Sequence, residues 1–292
     1  MPIIPGRFEY HRANGIDEAL RLLSGSDGER ALLAGGHSLL PMMKLRFAEP
    51  THLIDINGIE ALRGIREEHG ELVIGPMTTE AELLASDLLA RRCPLLPEVA
   101  RQIGDPQVRN RGTLGGDALH GDPANDHPAV LVALGARFVL RGRKGERESP
   151  ADGFYLGPYL TDRADDEIVT AIRIPMPPEG HGAAYCKLKR KTGDWATAAA
   201  ACVLDLDGER VRHVRLTLTN LGPTPIRVHD VEDLLTGETL DDGRIEQAGQ
   251  AAAAATDPAE DLRGNAEYKA HVAGEMTRRA LRQAAAQAGG KR

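Results

Sequence analysis

Two glycine-rich stretches put paired glycines beside small hydroxyl residues. The first runs Leu32-Leu33-Ala34-Gly35-Gly36-His37-Ser38-Leu39. The second runs Arg109-Asn110-Arg111-Gly112-Thr113-Leu114-Gly115-Gly116-Asp117 and leads into His120-Gly121-Asp122-Pro123-Ala124-Asn125-Asp126. Glycine tolerates positive φ and lets the backbone approach a ligand closely. Successive free N–H groups then form a concave nest that suits a pyrophosphate. One such loop is a weak signal, but two in one chain point to a dinucleotide held from both sides. Other chemistry has less support. His37 as a general base competes with a plain loop role. His120, Asp122, Asp126 and His127 match no common metal-ligand spacing, so loop capping and ligand contact fit them better. Cys93, Cys186 and Cys202 are scattered and form no CxxC pair. An iron–sulfur cluster or structural zinc held by this chain is therefore not expected, and buried reduced thiols are. No catalytic residue and no metal ligand is assigned.

The elements that must position these loops follow from periodicity. Ile16, Ala19, Leu20 and Leu23 recur at helical spacing behind Asp17 and Glu18. Residues 30–34 read as a strand entering the first loop, residues 39–47 as a helix of about two turns, and residues 51–56 as a second strand. Strand, loop, short helix and strand without G-x-G-x-x-G argue against a Rossmann unit. Residues 71–75 read as a strand, and Thr79-x-x-Glu82 is a capping box. A helix over 95–103 ends at Gly104 and delivers the second loop. A short helix over 128–134 and strands over 137–141 and 167–174 follow. Pro175-Met176-Pro177-Pro178-Glu179-Gly180 can continue neither helix nor strand and marks a domain boundary. Beyond it, residues 184–189, 196–206 and 211–220 read as three antiparallel strands, with Asp207-Gly208 as a turn. Helices over 231–235, 245–255 and 265–288 complete an α+β layer. On the first of these strands Lys187, Lys189 and Lys191 share one face, solvated or cofactor-facing. Tyr268, Val272 and Met276 form an apolar helical stripe for the core or a partner subunit. The tail from Gly289 to Arg292 is expected to fray.

Composition sets the outer limits. The 292 residues suffice for two domains, and 41% hydrophobic with 27% charged residues is a globular balance. A net charge of −7 argues against nucleic-acid or anionic-membrane surfaces. No apolar run reaches the roughly 20 residues of a membrane span, and Met1 to Tyr10 has no signal-peptide core. A cytoplasmic protein, not integral to a membrane, is expected.

Taken together, the motifs resemble the FAD-binding medium subunit of molybdenum hydroxylases, of the carbon monoxide dehydrogenase type, with the xanthine dehydrogenase flavin domain more distant. The marks are Ala34-Gly35-Gly36-His37-Ser38, Val108-Arg109-Asn110-Arg111-Gly112-Thr113-Leu114-Gly115-Gly116, Asp122-Pro123-Ala124-Asn125-Asp126, Glu167-Ile168-Val169 before Ile174-Pro175, Lys187-Leu188-Lys189-Arg190, and Arg263-Gly264-Asn265-Ala266-x-Tyr268-Lys269. The resemblance covers nearly the whole chain. It implies an α+β protein: a FAD-binding domain over 1–178, of the vanillyl-alcohol-oxidase-like kind, with subdomains of about 1–57 and 58–178, and a C-terminal domain over 179–292 built on a three-stranded antiparallel sheet plus helices. It also implies noncovalent FAD, with pyrophosphate between Leu32, Leu33, Ala34, Gly35, Gly36, His37, Ser38 and Leu39 on one side and Thr113, Gly115 and Gly116 on the other. Asp126 would meet the ribose or ribityl side, Ile103 would be an apolar contact, and Ile168 or Val169 a backbone contact at the flavin. Lys187 would lie near the isoalloxazine, where a cation suits an anionic reduced flavin. Trp195 stands where many relatives carry Tyr, and is either core or ring-facing. Asp117 replaces a frequent Asn. The implied function is electron transfer. A large molybdenum-cofactor subunit would hydroxylate substrate, a small two-cluster iron–sulfur subunit would relay electrons to this FAD, and quinone, NAD or oxygen would accept them, in a heterotrimer. A stand-alone FAD oxidase or dehydrogenase and a non-redox assembly protein are the competing readings.

Overall fold

A computed structural model describes residues 4–289. The readings for Met1 to Ile3 and for the tail beyond Gly289 fall outside the described residues. Three sheets follow one another along the chain. The first contains β1 (Glu9–Arg12), β2 (Arg30–Leu33) and β3 (His52–Asp55), with α1 (Ile16–Leu23) and α2 (Leu39–Leu45) between them. Its order is β1-β3-β2 and both pairings are parallel. Ala19, Leu20 and Leu23 of α1 pack with Ile54, Ile56 and Ile59 into a small core. β1 was not legible in the sequence, because three of its four residues are exposed and it lacks an apolar face.

The second sheet is antiparallel, in the order β4-β5-β10-β6-β7. β4 (Ile65–Glu68) and β5 (Glu71–Ile74) precede five short helices: α3 (Glu80–Ala85), α4 (Asp87–Arg92), α5 (Leu95–Gln102), α6 (Pro106–Arg109) and α7 (Leu114–Leu119). Then come α8 (Asp126–Ala133), β6 (Arg137–Gly142), β7 (Gly145–Pro150), a small hairpin of β8 (Tyr155–Gly157) with β9 (Leu160–Thr161), and β10 (Ile168–Pro175). The capping box is formed as expected: Thr79 accepts from the Glu82 N–H, and Glu82 accepts from the Thr79 N–H at 2.7 Å. Each such cap is worth about 1 kcal/mol.

After the turn over 176–181 comes the third sheet. Four strands, not the expected three, run in the order β11 (Gly182–Leu188), β12 (Ala198–Asp207), β13 (Arg210–Thr219) and β14 (Ile226–Arg227), all antiparallel. The two residues of β14 are too few to show a period-two pattern. α9 (His229–Leu235), α10 (Asp242–Ala254) and α11 (Ala266–Gly289) follow. β12 is buried on both faces. Ala198, Ala200, Cys202 and Leu204 pack with the core of α10 and α11, whereas Ala199, Ala201 and Val203 join the core of the second sheet with Val99 and Val130. The C-terminal sheet is thus the middle layer, and the Thr217 hydroxyl donates to the Ala129 carbonyl of α8 at 2.7 Å. Among the described residues no helix is long and apolar enough to cross a membrane.

Candidate cofactor-binding site

The first loop leaves the C-terminal end of β2 and turns into α2. Gly36 adopts φ +80, and Gly35 lies so close to the second loop that an added Cβ would sit 2.2 Å from the Arg111 carbonyl oxygen. Both positions therefore require glycine. Asn57 Nδ2 donates to the Ala34 carbonyl at 2.9 Å and ties down the base of the loop; its remoteness in sequence hid this role. The N–H groups of Gly35, Gly36, His37 and Ser38 meet no acceptor among the described residues, while the Gly36 and Ser38 carbonyls accept from Leu40 and Met42 at the start of α2. Four successive free donors at a helix start form an anion cradle.

The second loop works differently from expectation. Its glycine-pair amides and their neighbours are occupied within the fold, that of Thr113 excepted: Leu114 N–H donates to Thr78 O, Gly115 N–H to Pro76 O at 2.8 Å and Asp117 N–H to Thr113 O. Gly116 N–H donates to Thr113 Oγ1 at 3.1 Å, so Thr113 caps α7. A Cβ on Gly115 would meet Pro76 Cβ at 2.5 Å, so its glycine serves backbone packing. The loop is a rigid, close wall facing the cradle, and not a second nest of free donors.

Both loops border one cleft of about 490 Å³, a volume ordinary for a ligand site. Leu32, Ala34, Gly35, Gly36, His37, Ser38, Leu39, Ile103, Thr113, Gly115, Gly116, Asp126, Ile168, Val169, Lys187 and Trp195 all line it. Leu33 does not, although its β2 neighbours Ala31 and Leu32 do. Trp195 is 52% exposed, with the Arg263 guanidinium 6.0 Å from its ring centroid, so the core alternative for it is set aside. The Tyr268 stripe divides: Val272 and Met276 are core, and Tyr268 is exposed. The lysine alternation ends early, since β11 stops at Leu188; Lys189 Nζ donates to Gln102 O at 3.3 Å, and Lys191 is an exposed residue past the strand.

Lys187 and Asp126 form a buried ion pair, Nζ to Oδ2 2.7 Å, with side chains 1% and 6% exposed. Tyr185, two residues back on the same face of β11, donates to the other carboxylate oxygen at 2.5 Å. Behind them, His127 Nε2 and Glu80 Oε2 are 2.9 Å apart and both side chains are buried. Burial opposes the His127 charge, but Glu80, Asp117 and Asp126 outweigh it and push the imidazole up to about 9. Asp117 accepts from the His127 N–H at 3.0 Å; burial, with Glu80 and Asp126 adding to it, pushes its carboxyl up to about 7. Asp117 borders the cleft and its carboxylate is engaged from below by α8. His120, Asp122, Asp126 and His127 do not converge on one point: His120 packs edge-on to Tyr159, Asp122 accepts from the Ala124 N–H, and the other two hold the pairs just described. His37 is exposed and its side chain has no hydrogen-bond partner among the described residues. Cys93, Cys186 and Cys202 are buried free thiols, and burial pushes Cys93 up to about 12 and Cys186 up to about 11.

The arrangement suits a long anionic ligand. Donors at one wall would take its phosphates, an apolar floor of Ile103, Ile168 and Val169 would take a flat ring, and Lys187 with Asp126 would meet polar groups between. Comparison with known proteins agrees. Residues 6–177 match the FAD binding domain in molybdopterin dehydrogenase, and residues 183–284 match the CO dehydrogenase flavoprotein C-terminal domain. The chain is 53% identical to the carbon monoxide dehydrogenase medium chain of Hydrogenophaga pseudoflava, over 96% of this chain and 97% of that one. It is 48% identical to the medium chain from Afipia carboxidovorans, over 98% and 99%. A solved carbon monoxide dehydrogenase chain from Hydrogenophaga pseudoflava superposes with a TM-score of 0.95 at 55% identity, covering 97% of this chain and 99% of that chain. Two glycine loops facing each other across one cleft, and a likeness that runs the full length of the chain, place this protein in the family of FAD-binding medium subunits of molybdenum hydroxylases.

Proposed function

We propose that this chain carries electrons through a noncovalently bound FAD within a heterotrimer, between the iron–sulfur clusters of a small subunit and an external acceptor such as quinone, NAD or oxygen. Substrate hydroxylation belongs, in this reading, to a large molybdenum-cofactor subunit. The observation that carries it is the run of unpaired amides from Gly35 to Ser38 beside a cleft whose far wall holds the Lys187–Asp126 pair. When bound, FAD accepts two electrons and releases them singly or in pairs. The protein's own contribution is placement and charge. The cradle neutralises the pyrophosphate with backbone dipoles, which an overall net charge of −7 would otherwise disfavour. Lys187, held by Asp126 and Tyr185, presents a fixed cation at low reorganisation cost. Ile103, Ile168 and Val169 exclude water from the ring side. The exposed Trp195 stands at the rim, where it would lie against the ring.

The domain limits of 1–178, with subdomains of about 1–57 and 58–178, and 179–292 are proposed on the same footing, supported by the three successive sheets. So are the vanillyl-alcohol-oxidase-like class and a cytoplasmic location. Because two highly similar relatives are carbon monoxide dehydrogenase medium chains, carbon monoxide is the first substrate to test. The experiment is anaerobic addition of carbon monoxide to the purified complex, following the flavin absorbance. Bleaching in the complex and none in the isolated chain supports the reading. Reduction of the isolated chain by substrate, with no other subunit present, would refute it.

A further inference from the structure

Away from the cleft, metal-binding atoms meet at the outer strand of the first sheet. Glu9 and His11 share one face of β1, and the parallel register sets His52 of β3 directly beside Glu9. His11 Nε2 and His52 Nδ1 are 3.1 Å apart, and the rings stack with centroids 5.4 Å apart. Glu9 Oε2 is equidistant from the two nitrogens, at 3.7 Å from each. Among the described residues this is the group of His, Cys, Asp or Glu that brings three ligand atoms within 4.8 Å of one another.

We propose that Glu9, His11 and His52 form a binding site for a borderline divalent transition-metal ion, Zn²⁺ being the test case, which clamps β1 to β3. The chemistry selects the ion class. Two imidazoles and one carboxylate favour zinc and its neighbours over calcium or magnesium, which prefer all-oxygen shells. An ion about 2.05 Å from each imidazole nitrogen would subtend an angle of about 100°, close to tetrahedral. Glu9 is 72% exposed, so its carboxylate is free to swing the few tenths of an ångström needed to ligate. A fourth position stays open for water. A second observation supports the same reading. Asp27 Oδ2 lies 3.6 Å from His52 Nε2, on the ring nitrogen that faces away from the cluster. At that distance the carboxylate favours a proton on Nε2 through its charge, which would leave Nδ1 to ligate, as the outer carboxylates of ligating histidines do. The site runs against the expectation that this chain holds no metal. That expectation came from residues near one another in sequence, whereas His11 and His52 are 41 residues apart. β1 pairs with β3 alone, so a clamp here would fix the outer strand of the sheet that carries the cofactor cradle.

The test uses the full chain without a polyhistidine tag, stripped with chelator and titrated with Zn²⁺ alone. One ion per chain is expected, and Zn²⁺ should raise the Tm. His11→Ala and His52→Ala should each weaken binding by about tenfold or more and abolish the Tm rise. Glu9→Gln, at an exposed position that leaves folding intact, should weaken it severalfold, and Asp27→Asn less. Failure of the wild-type chain to bind Zn²⁺ stoichiometrically would overturn the proposal. So would wild-type affinity in Glu9→Gln together with His11→Ala, which would mean that the imidazoles share only a proton and that zinc binds elsewhere.

Discussion

Lys187 brings its charge to the cleft as one half of a pair, and this changes what its removal does. In Lys187→Met the field of the cation disappears and the formal charge of the pair falls from zero to −1, with Asp126 keeping its bond from Tyr185. This loss of one positive charge lowers the reduction potential of the bound flavin, by tens of millivolts; 30 mV corresponds to roughly 1.4 kcal/mol, within reach of one charge at an effective dielectric of about 20. Redox titration checks this. Lys189→Met removes an ammonium that donates to the Gln102 carbonyl and should titrate like wild type, and Asp126→Asn combined with Lys187→Met should recover most of the shift. Equal potentials for Lys187→Met and Lys189→Met would refute the assignment. At the cradle, Gly36→Val forces a β-branched residue to φ +80 and disturbs the free amides. Loss of FAD on gel filtration is expected, and a stoichiometric complex would contradict it. Gly116→Val should also lose FAD, because its Cβ would press on Thr113 Oγ1 at 2.8 Å and break the cap of α7. The glycines were legible because each loop is contiguous in sequence. The partners Lys187 and Asp126 are 61 residues apart and His127 and Glu80 are 47 apart, so no local pattern links either pair.

Among the elements, α3 and α8 are joined beneath the cleft by Glu80 and His127. The His127 imidazole is raised from an ordinary 6.5 to about 9. A group raised on folding stabilises fully below its unfolded pKa and loses that contribution as pH rises through its folded value. Stability from this pair should thus hold to about pH 6.5 and fall through about pH 9, by about 3 kcal/mol at most. Asp117, raised from 3.8 to about 7, has the same sign at lower pH, and the buried thiols of Cys93 and Cys186 add a loss of the same sign above about pH 9, so the comparison with a His127 variant is what isolates His127. Urea unfolding between about pH 7 and about pH 10 should show the decline in wild type and a flatter profile in His127→Gln. Identical slopes would exclude the pair as the cause. Elements with a strong local signature were readable, such as the capping box at Thr79 and Glu82 and the apolar period of α1. β1, β4 and β7 were missed for a common reason. They are outer strands whose residues are mostly solvent-facing, and without alternating burial nothing marks them as strands.

Across the whole molecule, the C-terminal sheet is sandwiched between the cofactor-binding part and its own helices. The alanine-rich β12 permits this, since small side chains on both faces let two layers approach. The run over 196–206 was legible as a strand, but its double burial was a tertiary fact that depended on α5, α8 and α11. Of the stretch Pro175 to Gly180, Pro175 is the last residue of β10, paired with Glu71, and the rest lies in the link between the second and third sheets. With substrate chemistry assigned to another subunit, the isolated chain should hydroxylate no substrate, and turnover should appear only when the large and small subunits co-purify with it. The most direct measurement of the central claim is acid precipitation of the purified chain, followed by identification of the released flavin. FAD in the supernatant at about one per chain is the expected result. FMN in its place, flavin retained in the pellet, or a chain that folds and binds no flavin would contradict the account.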